Sequence, residues 1–432
     1  MIDKLIQRVK NCFDQIADHR YKNKQTSVGD YIQSAFAMFS LKDPSLHHYR
    51  INYPVRSENL ERVYKVGELH SDSAMRAAID GVPPTEILKA FKIPIQELIE
   101  QGVMDKYRVL GKYHCINFDG TEHYCSCKTA CDCCLTKVHK NKKGEITKTT
   151  YHHQATSAVL VRYDGKEVFP IACEAILRQD GSTKNDCELN ASKRLPPLVH
   201  QMLPANEGYE LLGNFDGLYP NGPFIKELQE LNMRFMIGIK EGYVLVQAQN
   251  LKKTGGLQVK EWVNEQGHQC IAKWANSLIL NGQNQDVKVN YIEFEQYDKK
   301  SNRVFFSTWV TDVPVDESNV QELVLIARSR WKIENETFNT LKNQGYHLEH
   351  SYGHGEKHLA TNFMLLTFLA FLVDQVAQRL DKAFGKAVKY CKTKKNFWER
   401  VRQVFSLLPC MSMNVIYRFI TKEIRIDFPL LT

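Results

Sequence analysis

The chain lacks an apolar run long enough to cross a bilayer. Its longest, residues 363–373, is broken by Thr367, whereas a membrane-spanning helix needs roughly 20 apolar residues, so no membrane association is expected. It also lacks a secretory leader: the first ten residues interleave Asp3, Lys4, Arg8 and Lys10 with apolar positions and hold no apolar h-region. Without a leader, the 12 cysteines read as reduced thiols of a cytoplasmic protein rather than as a disulfide framework. Internal repeats and low-complexity tracts are missing as well. What remains is an ordinary globular composition, 432 residues and 43% hydrophobic, enough for roughly two to four domains.

Charge is unevenly placed. The formal net charge is +8, and residues 376–432 hold 12 Lys and Arg against 4 Asp and Glu, which accounts for the whole excess. Such a tail suits a polyanion such as DNA, because neutralised phosphates release counterions. A solvated, solubilising face has the same composition.

Residues 1–110 read as short helices, at 1–16, 31–39, 72–79 and 85–91, with Ser71 and Asp72 as cap residues and Pro83-Pro84 as a break. This region is suited to binding DNA ends, in a pattern that any small helical domain shares. Periodicity then changes. Strands are predicted at YHCINFD, 155–163 and 167–177, a helix over 185–203, a strand over 210–215, a helix over 223–231 and a strand over 234–239. Three strands followed by alternating helix and strand is the order of a ribonuclease-H-like core, spanning 111–240, with Asp119 ending the first strand and Asp216 the fourth. Residues 241–315 read as a β-rich insertion with strands at 243–249, 258–263, 270–280, 287–297 and 303–310, too long for an ordinary loop. The core resumes over 316–358, and 359–432 forms a basic helical C-terminal region: a buried helix over 359–380, a linker-like piece with Lys392, Lys394 and Lys395, and two more helical stretches. The fold class is therefore α/β: a ribonuclease-H-like mixed-sheet catalytic core with a β-rich insertion, flanked by helical regions.

Residues 319–345 are the stretch that the other segments serve. Ser318 and Gln321 have capping-box spacing, and Gly345 stands where a C′ glycine ends a helix, so one long helix is predicted. On it Arg330, Glu334 and Phe338 recur every four residues, which puts a guanidinium and a carboxylate on a partly apolar stripe. Glu336 is the rival carboxylate, and it turns away from Arg330. A helix-surface ion pair would contribute only about 0.3–0.5 kcal/mol; a functional pair needs further acids nearby. Asp119 in NFDGTEHY and Asp216 in NFDGLYP, 97 residues apart and the second 118 residues before Glu334, supply them, although each Asp-Gly is also an ordinary turn. Two aspartates from adjacent strands and a glutamate from a packed helix are hard oxygen ligands able to hold two divalent ions about 3.5–4 Å apart, the arrangement that activates one oxygen and stabilises another in phosphodiester chemistry.

RSRWKIENETFNTLK, together with DGTEHY, QDGSTKNDCE and DGLYP in that order and FSLKDPSLHHY and HSDSAMRAAID before them, resembles the DDE transposases of bacterial insertion sequences, the insertion-sequence-4-like group with a β-rich insertion before the catalytic Glu helix. The resemblance covers roughly residues 41–355. It implies catalysis by Asp119, Asp216 and Glu334 around two Mg²⁺ or Mn²⁺, with Arg330 and Lys342 contacting DNA phosphates. It also implies binding of terminal inverted repeats and target DNA as a homodimer, cleavage and strand transfer, and a bacterial cytoplasmic, nucleoid-associated location. Two positions depart from the family pattern. Ala327 stands where Tyr is usual, and the basic residue seven beyond the Glu is Leu341, with Lys342 one later; in a regular helix that places Lys342 roughly 80° off the Glu stripe. A ribonuclease-H-like nuclease or resolvase without strand transfer, and a DNA-binding remnant without catalysis, stay as alternatives.

A second cluster stands apart. Cys125, Cys127, Cys131, Cys133 and Cys134 fall within ten residues, followed by His139, His152 and His153. Cys131 and Cys134 have the spacing that holds a structural Zn²⁺, with a histidine and another cysteine to complete a tetrahedron; reduced thiols packed under the sheet are the other reading. Lys184, Asp186, Glu188 and Arg194 form a charged helix start that reads as dipole partners and exposed charge, or as DNA contacts. His347, His350 and His354 follow the Glu helix as a turn-borne group.

Overall fold

The computed structural model of the chain describes residues 1–20, 25–68, 71–181, 184–204 and 207–425. Eleven strands form one mixed sheet: β1 (Arg108–Val109), β2 (Tyr113–Ser126), β3 (Leu135–Lys140), β4 (Ile146–Leu160), β5 (Phe169–Ile176), β6 (Glu210–Phe215), β7 (Arg234–Gly238), β8 (Gln258–Val263), β9 (Gln269–Asn281), β10 (Asn284–Tyr297) and β11 (Arg303–Thr311). Within it β5, β4, β2, β6 and β7 lie in that order. β4 is antiparallel to both β2 and β5, while β2, β6 and β7 are mutually parallel. That is the ribonuclease-H-like arrangement. Its central strands, covered on both faces, read as near-continuous apolar runs such as Leu211, Leu212 and Phe215, all buried.

Residues 241–315 extend this same sheet. β11 pairs antiparallel with β7, and β10, β9 and β8 follow in turn. The strand predicted at 243–249 is instead the start of a helix, Tyr243–Lys253. YVLVQAQ alternates like a strand, but Val244 and Ala248, four apart, are its buried positions, and the Gln247 amide both donates to the Ile279 carbonyl at 2.7 Å and accepts from the Ile279 N–H at 3.3 Å. The helix predicted over 185–203 is two, Lys184–Ser192 and Leu195–Met202, because Pro196 and Pro197 start a helix readily but cannot sit inside one.

The single long helix predicted over 319–345 is also broken. Val320–Arg328 is α-helical, the chain turns at Ser329 and Arg330, and Ile333–Phe338 is a π-turn that runs into Asn339–Asn343. The expected Ser318 cap is replaced by Asp316, whose carboxylate accepts from the Ser318 and Asn319 N–H groups at 2.8 and 3.1 Å. Gly345, at φ +98°, takes the left-handed turn expected after the last residues.

Helix Leu359–Leu380 is long and apolar enough to cross a membrane, but 89% of its apolar window is buried inside the protein; it is the spine of the helical layer. Helices Ile2–Asp14, Val28–Ser40 and Lys382–Cys391 pack on it, and Lys394–Leu407 and Met413–Ile420 pack in turn on Lys382–Cys391. Lys394 and Lys395, expected in a linker, open a helix, and only Lys392 and Thr393 separate it from the preceding one. Buried polar pairs fasten the two ends of the chain together. Lys42 meets Asp374 at 2.5 Å beneath the Trp398 ring, and Asp374 also accepts from the Tyr346 hydroxyl at 2.7 Å.

Candidate active site

The tetrapeptide Asn-Phe-Asp-Gly occurs twice, at 117–120 and 214–217, and the fold sets the two copies side by side. β2 and β6 run parallel with Asn117 opposite Asn214, their last paired positions. Phe118 and Phe215 stack beneath with centroids 4.5 Å apart and planes at 13°. The next residues on the two strands, Asp119 and Asp216, therefore leave the parallel ladder at one level. Asp216 ends its strand as expected, and its carboxylate accepts from the Leu218 N–H at 2.8 Å. Asp119 does not end its strand: β2 runs seven residues further, paired there only with β4, Asp119 opposite Ser157. The long antiparallel pairing of β2 with β4 sustains it where β6 stops.

The two asparagines also place the third acid. Asn117 Nδ2 donates to the Ser329 carbonyl at 2.7 Å, and Asn214 Nδ2 donates to Asn117 Oδ1 at 3.1 Å and to the Ile326 carbonyl at 2.9 Å. These carbonyls lie at the end of helix Val320–Arg328, where each also accepts a backbone N–H, Ile326 from Ser329 and Ser329 from Lys332, so the asparagines take up their second lone pairs. Held there, the chain turns at Ser329 and delivers Arg330 between two carboxylates. Arg330 Nη1 donates to Asp119 Oδ2 at 2.8 Å, and Nη2 donates to Glu334 Oε1 at 2.7 Å.

Burial pushes the Asp119 carboxyl up to about 7; Arg330 opposes that, and the charges of Glu334 and Asp216 reinforce it. Arg330 is likewise buried, which disfavours its charge, but Asp119 and Glu334 outweigh this and raise its pKa further. Three carboxylates thus share one field with one cation among them. A fourth, Glu188, lies against the same place: a Cβ on Gly120 would come within 3.1 Å of its carboxylate, and its charge reaches Tyr219 together with those of Asp216 and Asp119. Glu188, expected as a dipole partner and exposed charge or as a DNA contact, is instead partly buried beside Asp119. With the guanidinium interposed, the three main acids are not drawn to the spacing of a single coordination sphere among the described residues. The donor set still fits a divalent cation: hard oxygens, strongly repelling one another, one of them held half-protonated near neutrality.

The π-turn changes the position of Lys342. The Asn339 N–H donates to the Glu334 carbonyl five residues back, so one extra residue is wound into that turn. Eight residues of regular helix leave Lys342 roughly 80° off the Glu334 stripe; absorbing one leaves about 20°. Lys342 Nζ is 3.0 Å from Glu349, and its charge is felt at His123, four residues beyond Asp119 on β2. Glu336 pairs instead with Lys332 at 3.6 Å, away from the acids.

Of the remaining candidates, Arg194 is engaged structurally, donating to Glu174 at 2.8 Å and Asp180 at 2.7 Å. The side chains of Lys184 and Asp186 lie outside the described residues. Cys131 and Cys134 do come together, with their sulfurs 3.5 Å apart. Asn117 and Asn214 were missed by sequence reading, although the repeated Asn-Phe-Asp-Gly was a visible trace of them.

Compared with known proteins, the chain matches the family model of the transposase DDE domain over residues 135–372. No curated protein matches it. Among solved structures it is similar to the piggyBac transposase in a synaptic complex with hairpin DNA determined by cryo-EM, at 11% identity and a TM-score of 0.41, over 97% of this chain and 79% of that one.

Proposed function

The chain belongs to the transposase DDE domain family, and on that premise we propose that it is the DNA transposase of an insertion sequence, cutting at terminal inverted repeats and joining the freed ends to target DNA. The observation that carries this reading is the Asp119–Arg330–Glu334 bridge with Asp216 beside it on the parallel strand. In the cleavage step a water oxygen bonds to the scissile phosphorus and the 3′-oxygen leaves, taking a proton. In the joining step that 3′-hydroxyl bonds to a target phosphorus and expels the target's own 3′-oxygen. Two Mg²⁺ or Mn²⁺ ions, when bound, supply activation of the attacking oxygen and stabilisation of the leaving one. Asp119, Asp216 and Glu334 would hold them.

The chain's own residues do the rest. Asp119 must give up its proton to act as a ligand, and Arg330 must release the carboxylates. Once released, its planar fork suits a DNA phosphate. Lys342, brought back toward the Glu334 stripe, is a second phosphate contact. Asn117 and Asn214 keep the turn at Ser329 fixed to both aspartate strands while Arg330 moves. DNA ends are bound by the N-terminal helical region and the basic C-terminal helices, where Arg400, Lys422 and Arg425 line one groove; two copies of the chain pair the ends, in the bacterial cytoplasm.

The test is a supercoiled plasmid bearing the element's own ends, incubated with the protein and Mg²⁺. Joined products are expected. Cleavage without joining would make it a nuclease, and shifted but uncut DNA would leave only a binding protein.

A further inference from the structure

Four donors, two thiols and two imidazoles, meet where β2 leaves its pairing with β4, beyond the carboxylates. Cys131 Sγ and Cys134 Sγ lie 3.5 Å apart, and each is near His153 Nε2, at 3.3 and 3.4 Å. His354 Nδ1 closes the group, 3.1 Å from His153 Nε2 and 4.0 Å from Cys134 Sγ. All four ligand atoms fall within 4.8 Å of one another. A tetrahedron with Zn–S near 2.3 Å and Zn–N near 2.05 Å has S···S, S···N and N···N edges of about 3.8, 3.5 and 3.3 Å; the observed S···S and N···N separations, 3.5 and 3.1 Å, are slightly shorter, and the S···N separations of 3.3, 3.4 and 4.0 Å fall on either side of theirs. The Cys131 N–H also donates to Cys134 Sγ at 3.3 Å, as suits a thiolate.

We propose that Cys131, Cys134, His153 and His354 form a Cys2His2 zinc centre. The sequence suggested the Cys pair completed by a histidine and another cysteine; the fold brings up two histidines instead, His153 from β4 and His354 from 201 residues further along the chain. Binding exchanges two thiol protons for one Zn²⁺, so the loaded site is neutral overall and compatible with the largely buried Cys134 and His153. Thiolate with imidazole in tetrahedral array selects zinc over the hard ions of the carboxylate site. The other local cysteines are not part of it: Cys133 Sγ points to the Lys357 carbonyl at 3.5 Å, and Cys125 and Cys127 are exposed.

The centre joins two segments that matter to the acids. Cys131 and Cys134 lie in the loop after β2, the strand that carries Asp119, His153 lies on its neighbour β4, and the loop bearing His354 follows the helical stretch carrying Glu334 and Lys342. That loop is already held at its other end by Asp80, whose carboxylate accepts from the N–H groups of Glu356, Lys357, His358 and Leu359 at 2.9 to 3.0 Å. The metal supplies the second tether and so acts as a positioning element rather than a reacting one.

The test is metal content of the untagged, full-length protein purified without chelator, with cobalt(II) exchange as a second measurement. One zinc per chain is expected in the wild type and in Cys125→Ser/Cys127→Ser, and the cobalt form should have the intense visible bands of a tetrahedral thiolate centre. Zinc should fall toward zero in Cys131→Ser and in His354→Asn. Should Cys131→Ser fail to fold, His354→Asn, on a partly exposed loop, and the wild-type cobalt spectrum still decide. A wild type that holds no zinc and gives no such spectrum overturns the proposal, as does full zinc retention in His354→Asn.

Discussion

Replacing Asp119 with Asn should stabilise the ion-free protein, and by an amount that depends on pH. The carboxyl is pushed up to about 7 from an ordinary 3.8 by burial and by Glu334 and Asp216. A carboxyl raised in the folded state stabilises the fold at acid pH, below its unfolded value, and that contribution is lost as pH rises through about 7. At pH 8 the ionised side chain therefore costs the fold up to about 4 kcal/mol relative to a neutral one, and at pH 5 only about 1–2 kcal/mol. Asn mimics the protonated carboxyl, so Asp119→Asn should gain up to about 3 kcal/mol more at pH 8 than at pH 5. This is a ceiling, because the repulsion is shared among three acids. The side chain is only 14% exposed, so solvent screening does not remove the effect. Denaturant midpoints of both proteins in Mg²⁺-free buffer at the two pH values measure it. Mg²⁺ should then stabilise the wild type and leave the variant nearly unmoved. A gain equal at both pH values, or a variant that responds to Mg²⁺ like the wild type, would refute the placement of Asp119 in a repelling carboxylate cluster.

Three other outcomes follow from the same contacts. Cleavage at sub-saturating Mg²⁺ should fall as pH drops through about 7, the region where Asp119 takes up its proton, by about tenfold per unit at the acid end, and added Mg²⁺ should move the inflection to lower pH; a flat profile from pH 6 to 8 contradicts this. Asn117→Ala removes the donor to the Ser329 carbonyl and the acceptor for Asn214, at a stability cost of about 1–3 kcal/mol, and should reduce cleavage far more than binding of DNA ends in a gel-shift assay. Lys42→Met strands the buried Asp374 and should destabilise the chain by about 3–5 kcal/mol, whereas Lys42→Met/Asp374→Leu should recover most of that in a denaturant titration.

The sequence made most of this legible where local pattern and tertiary demand agree. Leu211 to Phe215 reads as a strand because it is buried on both faces, and 359–380 reads as a buried helix because apolar residues cover nearly its whole circumference. Failures fall where a distant partner decides. Nothing within 243–253 announces that Gln247 will serve the backbone of β9, and alternation alone argued for a strand. Asp119 was expected to end β2 because YHCINFD reads as the whole strand and Asp-Gly as a turn; only the pairing with β4 carries the strand on. His354 looked like one of three surface histidines, since its partners are two cysteines and a histidine more than 200 residues upstream. The acids were chosen by their places in the predicted core and by the resemblance to DDE transposases, whereas the asparagines beside them act through backbone carbonyls of a distant helix end, which no local pattern announces.

The displaced lysine offers the sharpest remaining test of that register. If the π-turn at Ile333–Phe338 exists to absorb one surplus residue, then deleting Asn335, which is exposed, should let the turn relax to an α-helix. Every residue beyond it would keep its place in space, and the lysine would fall seven residues after Glu334 in a regular helix. A deletion inside a helix ordinarily rotates everything downstream by about 100°. Here that rotation is already present as the extra residue of the π-turn. The shortened chain should therefore fold with a denaturant midpoint close to the wild type and retain cleavage, while deletion of exposed Lys382 or any residue within Leu359–Leu380 should unfold the helical layer. A collapse of stability on removing Asn335 would mean that the π-turn is required for its own sake, with Leu341 and Phe338 packed to suit it, and that the offset of Lys342 is built in rather than compensated.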